Sequence, residues 1–577
     1  MKVWSTKLYL NDIESDIIKY LSGVLQGDCL SLIVFILCLN PLSFLLKKLP
    51  GYKPGPPSRR FDEISHLFFV DDLKTYASDR ISAKAQLDLI TTFTRDICME
   101  LGTDKCAYIN IERGKITTLG EKFTINDVEL NELVAGEKYK YLGQDEDISY
   151  DNTINKERVT REYFKRVRKI WSSELFSQNK TIAHNIFAIP IITPTIGILE
   201  WTKDELEQID IKTRKILTST GSFHINSDVD RLYAPRNKEG RGLNSLVDLF
   251  ISRIVSVSHH LKETALVNPY IKLVVEHESD MVLRVAEQLK TTFNITTNGR
   301  NSPKEVSKNI KDEIKKRHVT TWNNKPQHGY LFRTRQKVAR ENENLSNTWM
   351  KKSSFSSHVE GYLCAIQEEE ISTASLRSKR SNKEDINPNC RLCKSNRETI
   401  QHVVATCPKL SASMYLPMRH NKVCNVIYQN IIQKNTKSER MPIQSYYSNT
   451  DIDVWWDVKI PTLTKCKHNK PDMILWRKTH NTCYIIDICV CLDVNIPKNI
   501  QTKQDNYLPL AAELKRLYED YTFEVIPIVI GATGLVTLDI SDSLKKIGIE
   551  NVDEVTANCQ KCALLGTMKI VKSFMKM

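Results

Sequence analysis

Two adjacent carboxylates follow a short apolar run, in the segment 68–72 that ends on Asp71 and Asp72. Carboxylates at the end of a buried strand are costly unless a cation neutralises them. Such pairs hold Mg²⁺ in enzymes that act on phosphates, where the metal stabilises the attacking and leaving oxygens. The alternative is an Asp-Asp turn without a metal, and the pair alone does not separate the two.

A second pair of carboxylates lies near the C-terminus. Asp472 precedes the apolar run 473–476, and Asp487 lies within the apolar run 483–490. A turn between these runs predicts a hairpin that brings the two acids close, in an arrangement suited to one or two Mg²⁺ ions and an activated water. Strand-capping acids without a metal are the alternative.

Two further polar side chains follow that pair along the chain. Lys503 and Tyr507 are four residues apart, which places them on one face of a helix predicted at 500–521. A lysine beside two acids can stabilise charge on a cleaved phosphate. In restriction-like nucleases it commonly lies two residues after the second acid, a position that Cys489 occupies here.

Four residues have a spacing that by itself indicates a metal site. Cys390, Cys393, His402 and Cys407 follow the pattern C-x2-C-x8-H-x4-C. Zn²⁺ prefers four N/S ligands in a tetrahedron, and a closed set indicates a structural role. The alternative is chance, because the chain has 15 cysteines. The later pair Cys559 and Cys562 lacks a second pair, which favours simple packing.

Four short motifs follow one another in the N-terminal part of the chain. They are Gly23-Val24-Leu25-Gln26-Gly27-Asp28, Phe69-Val70-Asp71-Asp72, Lys105-Cys106-Ala107 and Tyr139-Lys140-Tyr141-Leu142-Gly143. In this order they resemble the palm of a reverse transcriptase of the non-LTR retrotransposon type. The resemblance implies that Asp71 and Asp72 bind catalytic Mg²⁺. It also implies substrate-binding roles for Gln26, Gly27 and Lys105.

The palm of that family carries one more aspartate, on a strand upstream of the Gln-Gly motif. Before Gly23 the sequence has Asp12 and Asp16, in a stretch too polar for a buried strand. We therefore expect the first palm motif and the fingers to be missing. Loss of one carboxylate weakens a two-metal site, so we expect little or no polymerase activity.

The middle of the chain resembles the thumb of the same retrotransposon class, through 197–201, 213–217 and 231–243. Arg231, Arg236 and Arg241 lie in or beside a Gly/Pro loop, where guanidinium groups can reach phosphates. A solvated helical face is the alternative. The stretch 304–340 mixes basic and aromatic residues, which suits single-stranded nucleic acid, although a solvated charged helix fits it equally well.

The C-terminal third resembles the zinc knuckle and restriction-like endonuclease of the same class. The knuckle resemblance includes Arg419-His420-Asn421, and the nuclease resemblance includes Lys470-Pro471-Asp472 and the segment from Lys503 to Tyr507. It implies that Asp472 and Asp487 hold Mg²⁺. It also implies that Lys503 and Tyr507, on the helix after the second acid, are catalytic, with Lys503 taking the place of the usual lysine and steadying the cleaved phosphate. Asn506 departs from the family, which tends to carry a basic residue there.

The elements that would position these residues predict an α/β multidomain protein: an α+β partial palm, helical thumb and linker, a small zinc knuckle and an α/β endonuclease. The predicted parts are a partial reverse-transcriptase palm at 1–145, a thumb-like helical domain at 146–265, a basic helical linker at 266–385, a CCHC knuckle at 386–425 and a restriction-like endonuclease domain at 440–577.

Composition supports a polyanionic partner. The chain has 577 residues, and 82 basic against 69 acidic residues give a net charge of +13. The odd, scattered cysteines are not those of a secreted disulfide scaffold. The N-terminus lacks the pattern of a signal peptide. The apolar run 30–46 is interrupted by polar residues and is predicted to be a buried helix rather than a membrane span.

Together these features predict an intracellular protein, nuclear by resemblance, that binds target DNA and template RNA and no membrane. The sequence leaves the oligomeric state open. The first hypothesis is a fragment of a retrotransposon reverse transcriptase and endonuclease that nicks target DNA to prime RNA-templated synthesis. The second is a catalytically inactive or domesticated remnant that binds nucleic acid without cutting it.

Overall fold

A computed structural model describes residues 5–10, 13–19, 23–24, 27–53, 63–146, 152–276, 281–296, 301–352, 355–381, 386–433 and 444–577. The chain separates into two compact units, Met1–Arg158 with Ser256–Pro303 and Val159–Val255 with Lys304–Met577. Both mix helices and strands to different degrees. The finer division into five parts stays a prediction.

The described strands are numbered in chain order. They are β1 (Ser5–Thr6), β2 (Tyr9–Leu10), β3 (Ile13–Glu14), β4 (Ile18–Lys19), β5 (His66–Phe69), β6 (Asp72–Thr75), β7 (Ala107–Tyr108), β8 (Asn110–Glu112), β9 (Lys115–Thr117), β10 (Thr124–Ile125), β11 (Val128–Glu129), β12 (Asn131–Glu132), β13 (Tyr139–Tyr141), β14 (Gln144–Glu146), β15 (Tyr446–Ser448), β16 (Ile452–Trp456), β17 (Met473–Arg477), β18 (Thr482–Cys491) and β19 (Thr522–Gly531).

The described α-helices are numbered in the same way. They are α1 (Cys29–Leu46), α2 (Arg80–Asp96), α3 (Asn152–Trp171), α4 (Ser177–Ala183), α5 (Lys203–Ser219), α6 (Val229–Tyr233), α7 (Leu246–Thr264), α8 (Pro269–Glu276), α9 (Met281–Phe293), α10 (Pro303–Asn324), α11 (Tyr330–Arg335), α12 (Glu343–Ser346), α13 (Thr348–Lys352), α14 (Ser357–Gln367), α15 (Ala374–Arg380), α16 (Asn421–Gln433), α17 (Ile496–Leu517), α18 (Leu538–Lys546) and α19 (Val552–Lys576).

The first unit is built around α1, α2 and one hairpin. The helix predicted over the apolar run is confirmed as α1, but the prediction that it is buried is wrong, because many of its side chains, including Leu32, Ile33 and Leu37, are exposed. Helix α1 begins after Asp28, whose side chain accepts a hydrogen bond from the Leu30 N–H. Leu42 and Leu46 of α1 pack against Ile90 of α2. Strands β5 and β6 pair antiparallel in a hairpin, and the described strands of this unit otherwise form two-stranded pairs.

The second unit contains a five-stranded sheet in the order β15-β16-β17-β18-β19. Its first four strands are antiparallel, and β18 pairs with β19 in parallel. One face of the sheet packs with α16, α18 and α19, and the other with α17. Because β18 and β19 are covered on both faces, their sequences are almost continuously apolar rather than alternating.

The remainder of the second unit is helical and contains many buried ion pairs. Arg231 pairs with Glu368, and Arg335 pairs with both Glu239 and Asp493. Trp322 and Phe332, from the basic and aromatic stretch, are buried and pack around the guanidinium of Arg231. Among the described helices, none is long and apolar enough to cross a bilayer.

Candidate active site

The two C-terminal carboxylates meet at the β17–β18 hairpin, as the sequence predicts. Asp472 immediately precedes β17, and Asp487 lies in β18 one residue after the partner of Met473. The Ile488 N–H donates to Asp472 Oδ2 at 2.6 Å. Asp487 is only 4% exposed. The hairpin therefore places two acids side by side in a largely desolvated position.

Helix α17 brings the predicted lysine to the same place. Lys503 Nζ lies 2.5 Å from Asp487 Oδ2. Tyr507, one turn later on the same face, is buried and donates through its hydroxyl to the Lys470 carbonyl at 2.9 Å. The predicted sharing of one helix face is confirmed, and it joins α17 to the loop that leads into β17.

The electrostatics of this site differ between its two acids. Burial and the neighbouring charge of Asp472 raise the pKa of Asp487, although Lys503 opposes them. Burial also acts to raise the pKa of Asp472, but His420 outweighs it and the pKa is lowered. Asp487 Oδ2 is buried and, despite the close lysine, lacks a well-aligned hydrogen bond. Two neighbouring carboxylates, one of them with a buried oxygen that lacks a hydrogen bond, are suited to binding a cation.

His420 is a residue of this site that sequence reasoning missed. Its Nε2 lies 3.1 Å from the Ile488 carbonyl oxygen and 3.3 Å from Asp472 Oδ2. It ends the helical segment Ser411–His420, immediately before α16. In the sequence, Arg419-His420-Asn421 is distinguished only by its resemblance to a knuckle. No spacing rule links it to Asp472, which lies much further along the chain.

The predicted Cys/His cluster is assembled. Ligand atoms of Cys390, Cys393, His402 and Cys407 lie within 4.8 Å of one another. Cys393 Sγ is 3.3 Å from His402 Nε2, and the sulfurs of Cys390 and Cys407 are 3.9 Å apart. These four side chains could hold a metal ion.

Local structure explains the approach of these four ligands. The chain turns tightly after Cys390, with the Lys394 N–H donating to the Cys390 carbonyl at 2.9 Å and Lys394 itself in the left-handed region at φ +59°. Thr399 Oγ1 accepts from the His402 N–H at 3.1 Å at the start of the next helical turn. Thr406 Oγ1 lies 3.2 Å from His402 Nδ1, which orients the other ring nitrogen toward Cys393.

The N-terminal carboxylates lie at the tip of the β5–β6 hairpin. Asp71 and Asp72 are both exposed, and Val70 beside them has φ +59°. In the part of the chain that the structure describes, neither belongs to a group of three or more metal-ligand side chains. Lys105 is exposed in a helical turn, where its carbonyl accepts from the Tyr139 hydroxyl at 2.8 Å.

The remaining predicted palm residues are less informative. Gly27 has φ +100°, which favours glycine at the turn before α1. Gln26 and Asp12 lie outside the described residues.

The three loop arginines are placed differently from what the sequence indicates. Arg231 and Arg241 are 1% and 2% exposed, and Arg241 and Arg236 share the carboxylate of Glu360. A guanidinium held in a buried ion pair is not presented to a phosphate backbone. Their role in binding nucleic acid stays a prediction that this placement does not support, and the structure gives them a role in packing instead.

No model of a known protein family matches the chain. A comparison with curated proteins gives no match either.

Proposed function

We propose that the second unit carries a Mg²⁺-dependent DNA endonuclease centre. The observation that carries this proposal is the convergence of Asp472, Asp487 and Lys503 from a strand end, a strand and a helix. Asp472 and Asp487 would hold the metal, and Lys503 would steady the cleaved phosphate. Bound Mg²⁺ would supply Lewis-acid stabilisation of the oxygens at the cleaved bond.

The wider setting supports nucleic acid as the substrate. The chain carries a net charge of +13, and its motifs resemble a retrotransposon reverse transcriptase and endonuclease. In that role it would nick target DNA in the nucleus to prime synthesis on an RNA template. The Cys390, Cys393, His402 and Cys407 cluster would bind one structural Zn²⁺, since closed sets of three thiolates and one imidazole suit that ion.

Nicking of supercoiled plasmid tests the nuclease proposal. We expect zinc-loaded protein to convert supercoiled to open-circular DNA when Mg²⁺ is added, and Asp487→Ala to abolish the conversion. Asp505→Ala changes an exposed acid on the same helix α17 and should leave it unchanged. Equal activity of wild type and Asp487→Ala would refute the proposal.

Lys503 has its own expected signature. Removing one group that stabilises developing charge typically costs about 10²–10³ in rate, so Lys503→Ala should slow nicking by that order. Lys498→Ala, at an exposed position of α17, is the matched control. If the two lysine variants nick equally fast, Lys503 does not act on the phosphate.

We infer that the first unit polymerises little or no DNA by itself. Asp71 and Asp72 are exposed on a hairpin tip, and among the described residues no third metal-ligand side chain joins them, which makes a weak two-metal site. Primer extension on an RNA template measures this directly, and efficient extension that is lost in Asp71→Ala would contradict it.

DNA binding without nicking by the whole chain would favour the alternative of an inactive binding protein.

A further inference from the structure

The backbone that carries His420 is fixed by contacts of the preceding residue. The preceding residue, Arg419, is 1% exposed, and its guanidinium donates to the Val404 carbonyl at 2.7 Å and to Thr567 Oγ1 at 3.1 Å. The same guanidinium donates to the Val490 carbonyl of β18 at 3.3 Å. The backbone at 419–420 is thereby fixed between the Cys/His cluster, α19 and the strand that carries Asp487.

The partners of His420 define which nitrogen carries a proton. Its Nε2 faces two acceptors, the Ile488 carbonyl and Asp472 Oδ2, so this nitrogen is a donor. Asp472 Oδ2 also receives the Ile488 N–H. The Ile488 N–H donates to this carboxylate oxygen and His420 Nε2 forms an ion pair with it at 3.3 Å, which leaves Oδ1 as the oxygen that neither engages. A carboxylate fixed in this way presents a defined lone pair to a cation.

A different use of this cluster is to bind a metal directly, because His420, Cys424 and Asp472 bring ligand atoms within 4.8 Å. The position of the sulfur argues against that use. Cys424 Sγ lies 3.6 Å from Nδ1 and 3.7 Å from Nε2 of His420. A sulfur almost equidistant from both nitrogens lies off the lone-pair direction of Nε2, where a metal shared with that nitrogen would have to be. Cys424 is instead part of the apolar core.

We propose that His420 is a positioning residue that orients Asp472 for metal binding in the candidate nuclease site. This inference rests on the proposed function and adds a residue to it. Outer-shell partners of this kind typically change metal affinity by about 10–100-fold when they are removed. The helical segment after the Cys/His cluster therefore contributes directly to the nuclease site.

Two substitutions separate the contact between His420 Nε2 and Asp472 from the volume of the side chain. His420→Phe keeps a ring but removes the donor, whereas His420→Gln retains an N–H near the position of Nε2. Mn²⁺ binding to zinc-loaded protein is measured by calorimetry, and the Mg²⁺ concentration for half-maximal nicking is measured in parallel. Melting temperature and zinc content report on the fold of each variant.

We expect His420→Phe to weaken Mn²⁺ binding and to raise the half-maximal Mg²⁺ concentration by about 10-fold or more. His420→Gln should recover most of that loss, and the rate at saturating Mg²⁺ should change less than the half-maximal concentration. Unchanged metal dependence in a folded His420→Phe variant would overturn the inference. A second equivalent of zinc that is lost in Cys424→Ser would overturn it as well.

The design keeps this inference distinct from the nuclease proposal. If wild type binds Mn²⁺ in a manner that Asp487→Ala abolishes, yet does not nick, the nuclease proposal fails while the role of His420 is still decided by calorimetry. If both His420 variants fail to fold, ¹⁵N-histidine spectra of wild type decide instead. The imidazole N–H signal of His420 should then shift on addition of Mg²⁺, and a signal that does not move contradicts the proposal.

Discussion

Cys393 closes the Cys/His cluster that could hold a metal ion. It completes the set with Cys390, His402 and Cys407, and hydrogen bonding from Ser395 lowers its pKa to about 6, which favours the thiolate that a metal requires. We predict that wild type contains one equivalent of zinc and that Cys393→Ser loses it, with a lower melting temperature. Metal content by mass spectrometry and thermal unfolding measure both effects.

Cys466→Ser is the control for that prediction, because Cys466 lies outside the cluster in the loop before Asp472. It should retain the zinc and the melting temperature of wild type. Zinc that persists undiminished in Cys393→Ser would show that the cluster is not a metal site.

Residue spacing along the chain predicts the approach of the two acids and of the Cys/His set, because the members of each lie within one hairpin or one short segment. Lys503 is indicated by the family resemblance instead. Spacing could not predict His420, whose contact with Asp472 depends on how the segment Ser411–His420 packs against the sheet. Spacing did not indicate the burial of Arg231 and Arg241. A Gly/Pro loop rich in arginine suggests exposed guanidinium groups, whereas here they form buried ion pairs with Glu368 and Glu360.

At the scale of elements, helix α14 joins the loop of these arginines to the helical part of the second unit. It carries Glu360, which is fully buried and accepts from both Arg236 and Arg241. The two guanidinium groups lower the pKa of Glu360 to about 2 even though burial alone raises it. The loop and the helix are therefore held together by a buried network of charged groups.

We predict that Arg241→Ala destabilises the second unit by about 3 kcal/mol, the lower end of the usual cost of breaking a buried ion pair, because Arg236 still pairs with Glu360. Urea unfolding monitored by tryptophan fluorescence measures it. Arg166→Ala, which removes an exposed i,i+4 pair with Glu162 on α3, should cost about 0.5 kcal/mol or less. Similar losses in the two variants would mean that the Glu360 network contributes little.

The element types themselves followed from local patterns. Helix α10 places Val306, Ile310 and Ile314 at a spacing of four, and all three are buried, as an amphipathic helix requires. Trp322, in the same stretch, is predicted either to stack on bases or to lie in a solvated charged helix, and its burial against Phe332 supports neither. Composition alone cannot reveal this burial, since basic residues beside an aromatic ring occur in all three settings.

At the scale of the second unit, two histidines are placed between carboxylates and make its stability depend on pH. His318 Nδ1 and Nε2 each lie 2.8 Å from an oxygen, of Asp230 and Asp248 respectively. Burial lowers the pKa of His318, but these two contacts outweigh it and raise the pKa to about 9. His328 lies between Asp228 and Glu370 and its pKa is likewise raised to about 9.

Both folded pKa values lie above the ordinary value of about 6.5. The stabilisation is therefore fully present below about pH 6.5 and is lost as the pH rises toward about 9. We predict a fall of about 2 kcal/mol in the unfolding free energy over that range, the size of a hydrogen bond to a charged group. Urea unfolding measures it, and His318→Gln should flatten the curve, whereas His480→Gln, at an exposed position, should not.

The net charge of +13 belongs to the whole molecule, but only its exposed part can meet a polyanion. Arg231 and Arg241 form buried ion pairs, whereas Lys304, Lys308 and Lys315 are exposed along α10. Their spacing places them on neighbouring turns, away from the buried stripe of that helix. This basic stripe is therefore a better candidate for phosphate contacts than the arginine loop.

We predict that affinity for a short DNA duplex falls linearly with salt on logarithmic axes, with a slope of about −0.9 for each phosphate contacted. The double variant Lys308→Gln/Lys315→Gln should make that slope less steep by about 1–2, measured by fluorescence anisotropy. Lys316→Gln, whose lysine lies within reach of Glu313 on the same helix, is the matched control and should change it less. An identical slope in wild type and the double variant would show that nucleic acid is bound elsewhere, because counterion release counts only the charges that touch phosphates.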